Sequence, residues 1–440
     1  MPPERKKSGP RVFFGWWSVS FIGIISGLGH GFNTYGISVF FKPIAAELEI
    51  NRAFTSLAAG MGRLEGGITS PLVGWLSDRF GPRWIVIFGI LVAAAGMIFM
   101  NYITEIWQYY VAWGAMIGLG LNIGLTVACD KTINDWFIRR RGLAQGIKFA
   151  TVGIFGIVVL QIITPLMESQ GWRFTCLIWG IIMFASVPFA YMLIKPKRPE
   201  FYNLLPDGAK VSFDGEEDKR GVIERTAGYA RESQERDYTF KQAMKTGTYW
   251  LLIVGFSAHN FIAGGFNVHI FPFLTDIGFE ETVASGMMGM MIFFTVPSRF
   301  FGGLVADHIA KNRIQYLLLV AILLQVIGLG TYLMFQNLVG VYVLLVCHGL
   351  SSGAVTPLVI LIVGRYFGRQ YFGSILGMMI TFLAPMGLLS PVYYGWVFDT
   401  TGSYNIAFIT ALIFAAVATM LMFFVRPPKP PVDETPSLTW

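Results

Sequence analysis

Apolar runs of about 20 residues recur from one end of the chain to the other, and a helix of that length matches the hydrocarbon thickness of a bilayer. Twelve can be placed, centred near Ile24, Gly66, Leu91, Gly118, Gly156, Ile182, Phe261, Phe293, Leu323, Leu350, Leu383 and Ile413. Composition agrees: 54% of the 440 residues are hydrophobic and 13% charged, against about 25% charged in soluble domains. Glycine, which membrane helices use at close crossings, occurs 50 times. The expectation is an all-α membrane protein of twelve transmembrane helices.

The net charge of +7 does not point to nucleic acid, because the basic residues stand in short clusters between apolar runs. Cys129, Cys176 and Cys347 are far apart in sequence and lie in apolar segments, so neither a disulfide framework nor a metal site is read from them. No cofactor is expected. The basic start, Arg5, Lys6, Lys7 and Arg11, precedes an apolar run too long for a signal peptide and without a small-residue cleavage site; we read it as an uncleaved first span. With the N-terminus inside, clusters such as Arg79/Arg83, Arg139–Arg141 and Arg365/Arg369 all fall on the inner side. The outer loops hold Lys42, Arg52 and Arg173 among many acids. This positive-inside bias predicts a multi-pass protein of the plasma (inner) membrane with both termini cytoplasmic.

Residues 195–238 are polar, highly charged and free of any span-length apolar run. They are read as a cytosolic linker that solvates rather than packs, with a short surface helix over Thr239–Lys245 after it. The linker parts two similar halves. "GWLSDRFGPR" from Gly74 is echoed by "GLVADHIAKNR" from Gly303, which sets Asp307 229 positions after Asp78. "WFIRRRGLAQG" from Trp136 is echoed 230 positions later by "YFGRQYFGSILG" from Tyr366. Two pairs at nearly one offset predict an N-terminal six-helix bundle over 1–194 and a C-terminal one over 239–440, with a short cytosolic tail. Parallel halves are a transporter plan, with the site near mid-membrane between them.

Gly74–Arg83 carries the whole pattern G-x-L-x-D-R-x-G-x-R, and with the repeat the chain resembles the major facilitator superfamily. A narrower likeness, to its monocarboxylate and oxalate/formate transporters, rests on "FFGWWSV", "GLGHGFNTYGISVFF", "RLEGGITSPLVGWLSDRFGPR", "VHIFPFLTDIGF", Arg299 with Gly303, and "SPVYYGWVFDTTGSY". The resemblance implies pseudo-symmetric bundles working as a monomer. It implies that Gly74, Asp78, Arg79, Gly81, Arg83, Gly303 and Asp307 form a conformational latch, and that Arg299 binds a substrate carboxylate.

Arg299 is also singled out by its position. It lies eight residues before Asp307, about 12 Å inside its helix end. A guanidinium at that depth costs roughly 2.5–3.5 kcal/mol on insertion scales, which implies a cavity or a partner. Its planar fork suits a carboxylate. No acid lies within two turns before it on the same helix. An ion pair with another helix is the alternative. Asp130 and Lys148 lie at similar depth on neighbouring spans and are read first as a structural pair, with Asp130 and Glu65 as the acids able to carry a coupling proton. A carboxylate in apolar surroundings favours its neutral form. Arg63 stands two residues from Glu65, on another face. The resemblance makes spans one, four, seven and ten line the cavity, so His30, Asn33, Asn122 and Asn260 become contacts for cargo, with Tyr393 a further lining group; an interhelical hydrogen bond is the bland reading of each. His269 is placed near the outer mouth.

The chain departs from these relatives in three places. No Lys or Arg occurs from Phe372 to Trp396, Thr295 stands where an aspartate precedes the arginine, and Phe14 precedes Gly15 where an acid is expected. One fixed cation suits one carboxylate. The expected function is a secondary transporter of a small organic anion, most simply a lactate- or pyruvate-like monocarboxylate, with H+ as co-substrate. Alternatives are oxalate/formate-type exchange, an amphipathic drug-like cargo, or a non-transporting sensor. No nucleophile–base pair, phosphate-binding glycine loop or metal cluster speaks for an enzyme.

Overall fold

A computed structural model of the chain describes residues 12–36, 40, 43–44, 47, 52–209, 226 and 236–429. The basic N-terminal stretch, Lys42, most of the linker and the Arg63 side chain lie outside the described residues.

The described elements are helical. Helix α1, Phe14–His30, runs on through a π-helical turn, Gly31–Tyr35. Next come α2 (Arg52–Phe80), α3 (Pro82–Phe99) and α4 (Ile106–Trp136). Arg141–Leu193 is helical but for a single turn residue, Ser186, and for Gly171, whose φ of 81° and ψ of 167° no helix contains. It therefore holds two spans, α5 (141–170) and α6 (172–193). After the linker come α7 (Gly247–Asp276), α8 (Glu281–His308), α9 (Ile314–Phe335), α10 (Leu338–Phe367), α11 (Phe372–Thr401) and α12 (Asn405–Phe424). Nine stretches of the described residues are long and apolar enough to cross a bilayer. One of the nine is the α5–α6 pair; α1 with its π turn, and the more polar α2, bring the spans to twelve.

Buried apolar side chains segregate with the repeat. One core gathers Ile22, Ile90, Trp113, Trp179 and their neighbours from α1–α6; two others draw on α7–α12, around Leu358 and Met379 and around Phe266 and Phe408. The bundles meet along two seams, α2 against α11 and α5 against α8. Both are made where glycine lets backbones touch. A Cβ on Gly74 would lie 2.0 Å from the Gly373 carbonyl oxygen, and one on Gly303 would lie 2.1 Å from that of Gly142. In a bilayer, helix association relies on such close packing, since lipid offers as apolar a surface as leucine.

The short helix after the linker is Phe240–Met244, opened by a capping box in which the Thr239 hydroxyl accepts from Gln242 N–H. The linker itself departs from expectation, because its two described ends pack instead of solvating. Glu200 and Asp207 are buried, and Tyr238 donates from its N–H to Phe367 and from its hydroxyl to the carbonyls of Pro428 and Lys429. Composition read as solvated charge misses carboxylates that have backbone N–H groups to bind. The described linker ends lie against Phe13, just before α1, and Pro428, after α12, on one side of the bundle, the linker face.

Candidate functional site

Between the bundles, at mid-depth, lies a cavity of about 500 Å³. Helices α1, α2, α4 and α5 supply one wall; α7, α10 and α11 supply the other. Irregular backbone borders it. The π turn of α1 begins at Gly31, directly after His30. Helix α4 is π-helical over Tyr110–Gly118 and breaks at Thr126, a wall residue with φ −106° and ψ −103°. Such departures cluster at functional sites because they turn side chains and carbonyls toward a ligand.

The wall is mostly apolar, and its charge is concentrated in one place. Lys148 Nζ lies 2.5 Å from Asp130 Oδ1, with both side chains buried. The same ammonium stands 4.6 Å from the centroid of the Phe149 ring. His30 and Asn122 share this wall. The Asn122 amide packs against Gly66, where a Cβ would come within 3.0 Å of it. Across the cavity stand Asn260, whose amide donates to Phe256 O at 3.1 Å, together with Asn267 and Thr356. Sequence reasoning missed Asn267 and Thr356. The signal for Asn267 was there, since it follows Asn260 by seven residues and therefore shares its helix face.

Several expected groups stand elsewhere. Arg299 is half-buried in the α5–α8 seam, where its guanidinium donates to the Phe149 carbonyl at 3.2 Å and lies over Gly153. A Cβ on Gly153 would sit 2.9 Å from Nη1. The cation is therefore one residue behind the cavity wall, held by backbone, and not waiting in the cavity. Tyr393 faces α12, with its hydroxyl 2.7 Å from that of Thr410. Asn33 sits beyond the cavity on the π turn, and Glu65 is half-buried off the wall. Among the described residues no hydrogen-bond partner reaches Glu65 Oε2. Helical periodicity ranks residues by face, but the crossing angles of neighbours decide which face meets the cavity. His269 bridges Tyr404 and the Pro391 carbonyl, and His259 bonds Gln325; each is an interhelical tie. Among the described residues no group of His, Cys, Asp or Glu could hold a metal ion.

On the linker face the bundles are joined by two equivalent contacts. Asp78 accepts from the N–H groups of Gly373 and Ser374 at 3.0 and 2.7 Å, at the start of α11, and pairs with Lys131 at 3.4 Å. Asp307 accepts from Gly142 and Leu143, both at 2.7 Å, at the start of α5, and pairs with Arg365 at 3.1 Å. Helix N-termini offer unpaired N–H groups and a favourable dipole to a carboxylate. Of the other motif residues, Gly81 takes φ 82° to turn the chain into α3. Arg83 donates to Ile194 O at 2.6 Å, and Arg79 stacks on Trp75.

Two pseudo-equivalent bundles, a central cavity and seams closed at one face define a membrane transporter. The chain belongs to the major facilitator superfamily, whose family model matches residues 23–391; it is a multi-pass secondary transporter. Among relatives, it is 26% identical over 432 residues to monocarboxylate transporter 4 of Gallus gallus, covering 96% of this chain and 86% of that one. It is 23% identical over 421 residues to human monocarboxylate transporter 2, covering 93% and 85%. The fold is similar to that of the proton:xylose symporter XylE, with a TM-score of 0.68 at 14% identity over 94% of this chain and 96% of that one. It is also similar to FucP in its outward conformation, with a TM-score of 0.66 at 12% identity over 93% and 97%.

Proposed function

We propose that the protein carries a small organic monocarboxylate together with a proton, by rocking the bundles 1–194 and 239–440 about the central cavity. The observation that carries this reading is the Lys148–Asp130 pair on the cavity wall, with Arg299 directly behind it on Phe149. A closed ion pair in apolar surroundings is neutral. An entering carboxylate adds a charge whose burial is costly unless compensated. A proton taken by the Asp130 carboxylate frees the Lys148 ammonium for the cargo, and the site is neutral again. His30, Asn122 and Asn260 would then orient the cargo. Arg299 would meet it as the α5–α8 seam parts, and Glu65 is a second group able to take the proton. The similarity to proteins named monocarboxylate transporters supports this cargo class. The basic clusters on the linker face make that face cytoplasmic by the positive-inside bias, so the conformation described is closed toward the cytoplasm, and the Asp78 and Asp307 contacts are its latch.

The volume of about 500 Å³ and the apolar α11 wall also favour a second reading, a larger amphipathic anion. Uptake of labelled lactate, pyruvate and longer-chain carboxylates into proteoliposomes after a pH jump separates the two. For the monocarboxylate reading, inward acid gradients should drive lactate or pyruvate uptake, Asp130→Asn should abolish the response to the gradient, and Arg299→Lys should lower uptake by about tenfold or more, since the planar fork is lost. Wild-type rates in Arg299→Lys would remove that residue from the site. Uptake of the long-chain acids alone would select the second reading.

A further inference from the structure

The two described ends of the linker are built into the closed face with the symmetry of the repeat. Asp207, held at φ 61°, turns its carboxylate onto the N–H groups of Ile138, Arg139 and Arg140, the latter two at 2.9 and 3.0 Å. Asp237 turns Oδ1 onto the N–H groups of Arg369 and Gln370 at 2.6 and 2.9 Å. Arg369 and Gln370 follow Arg139 and Arg140 by 230 positions, the offset that relates the bundles. Each leg of the linker is thus pinned to the same loop of its own bundle, the loop that leads into α5 or α11.

From these anchors, charge reaches across. Glu200, six residues beyond the N-terminal bundle, accepts from Arg369 of the C-terminal one at 3.0 Å, both side chains 7% exposed. Arg369 also donates to the Asp135 carbonyl at 3.1 Å, and its own carbonyl accepts from Lys131 at 2.5 Å. Arg198, on the first leg, pairs with Asp135 at 3.5 Å. Burial works to raise the pKa of Asp237, on the second leg, but the charges of Arg198 and Arg369 and the N–H groups of Gln370 and Arg369 outweigh it and hold the carboxyl below its usual range. Asp237 is therefore charged at neutral pH.

We propose that the linker ends are a clasp that sets how long the linker face stays closed, separate from the Asp78 and Asp307 contacts. Asp207 and Asp237 travel with their own bundles; the Arg369 bonds to Glu200 and to the Asp135 carbonyl must part whenever that face opens. The proposal rests on the rocking motion above and is independent of the cargo.

The test uses full-length protein in lipid nanodiscs, its three native cysteines replaced, with spin labels at Phe80→Cys, the last residue of α2, and Asn312→Cys, in the turn before α9, exposed positions on opposite bundles. Pulsed-dipolar distances report the closed and open populations. Glu200→Gln should raise the open-to-closed ratio by about tenfold, as expected for a lost charge-assisted bond. Arg369→Gln should move it the same way, and Glu200→Asp should recover part of the closed population. Should Asp78→Asn and Asp307→Asn separate the labels while Glu200→Gln and Arg369→Gln leave them at the wild-type distance, the clasp is wrong and the rocking stands. Distances unchanged in all four variants overturn both.

Discussion

Lys148 and Asp130 were legible in the sequence as a pair, and the tertiary structure sets that pair on a cavity wall. Their similar depth on neighbouring spans follows from helix rise and loop position. That the pair opens onto the cavity follows from the turn of α4 at Thr126 and from the absence of bulk at Gly66. A buried pair is expensive to halve: removing one partner leaves an uncompensated charge and typically costs about 3–5 kcal/mol, whereas replacing both is often close to neutral. Lys148→Met should therefore lower the thermal unfolding temperature clearly, and Asp130→Asn combined with Lys148→Met should recover most of the loss. Equal destabilisation in the single and double variants would mean that the ammonium has another anionic partner. Arg299 teaches the converse. Its depth was legible from eight residues of sequence. The direction of its side chain was not, because that depends on a notch at Gly153, on another helix.

Helices α2, α5, α8 and α11 owe their seams to a few glycines whose roles differ sharply from those of their neighbours. Gly74 and Gly303 face carbonyl oxygens at distances no Cβ tolerates, whereas around Gly286 and Gly289 of α8 there is open space within 4 Å. Gly74→Val should push α2 from α11 and shift the label pair at positions 80 and 312 toward the long distance, while Gly286→Ala should leave it unchanged. A wild-type distance in Gly74→Val would mean that the seam is not needed for closure. The "GWLSDRFGPR" pattern marked this region in the sequence, as did its echo. The backbone N–H groups that receive Asp78 and Asp307 belong to α11 and α5, far along the chain, and no local pattern names them. The same holds for Glu200 and Asp207, which look like solvated charge until the loops they bind are in place.

The assembly of twelve spans has an orientation that labelling can check. In intact cells, an impermeant maleimide should reach a single cysteine at Gln336, at the end of α9 away from the linker face, and should reach one at Asn312 only after permeabilisation. The reverse pattern would place the linker outside and overturn the cytoplasmic assignment of the termini. Span length, charge asymmetry and the 229–230 offset were all visible in the chain, because lipid imposes a length and polarity on each segment separately, and duplication leaves its mark at a constant distance. Among the described residues, nine stretches are long and apolar enough to cross a bilayer. The count reaches twelve through the π turn after α1, the polar α2 and the break at Gly171, each already present as residues in the sequence. The cavity is different in kind. Its walls come from seven helices, and whether Arg299, Asn33 or Tyr393 joins them is set by how those helices cross and which face of the molecule is closed. Contacts between distant segments depend on packing that no single segment encodes, so the architecture could be read from one dimension and the inventory of the site could not.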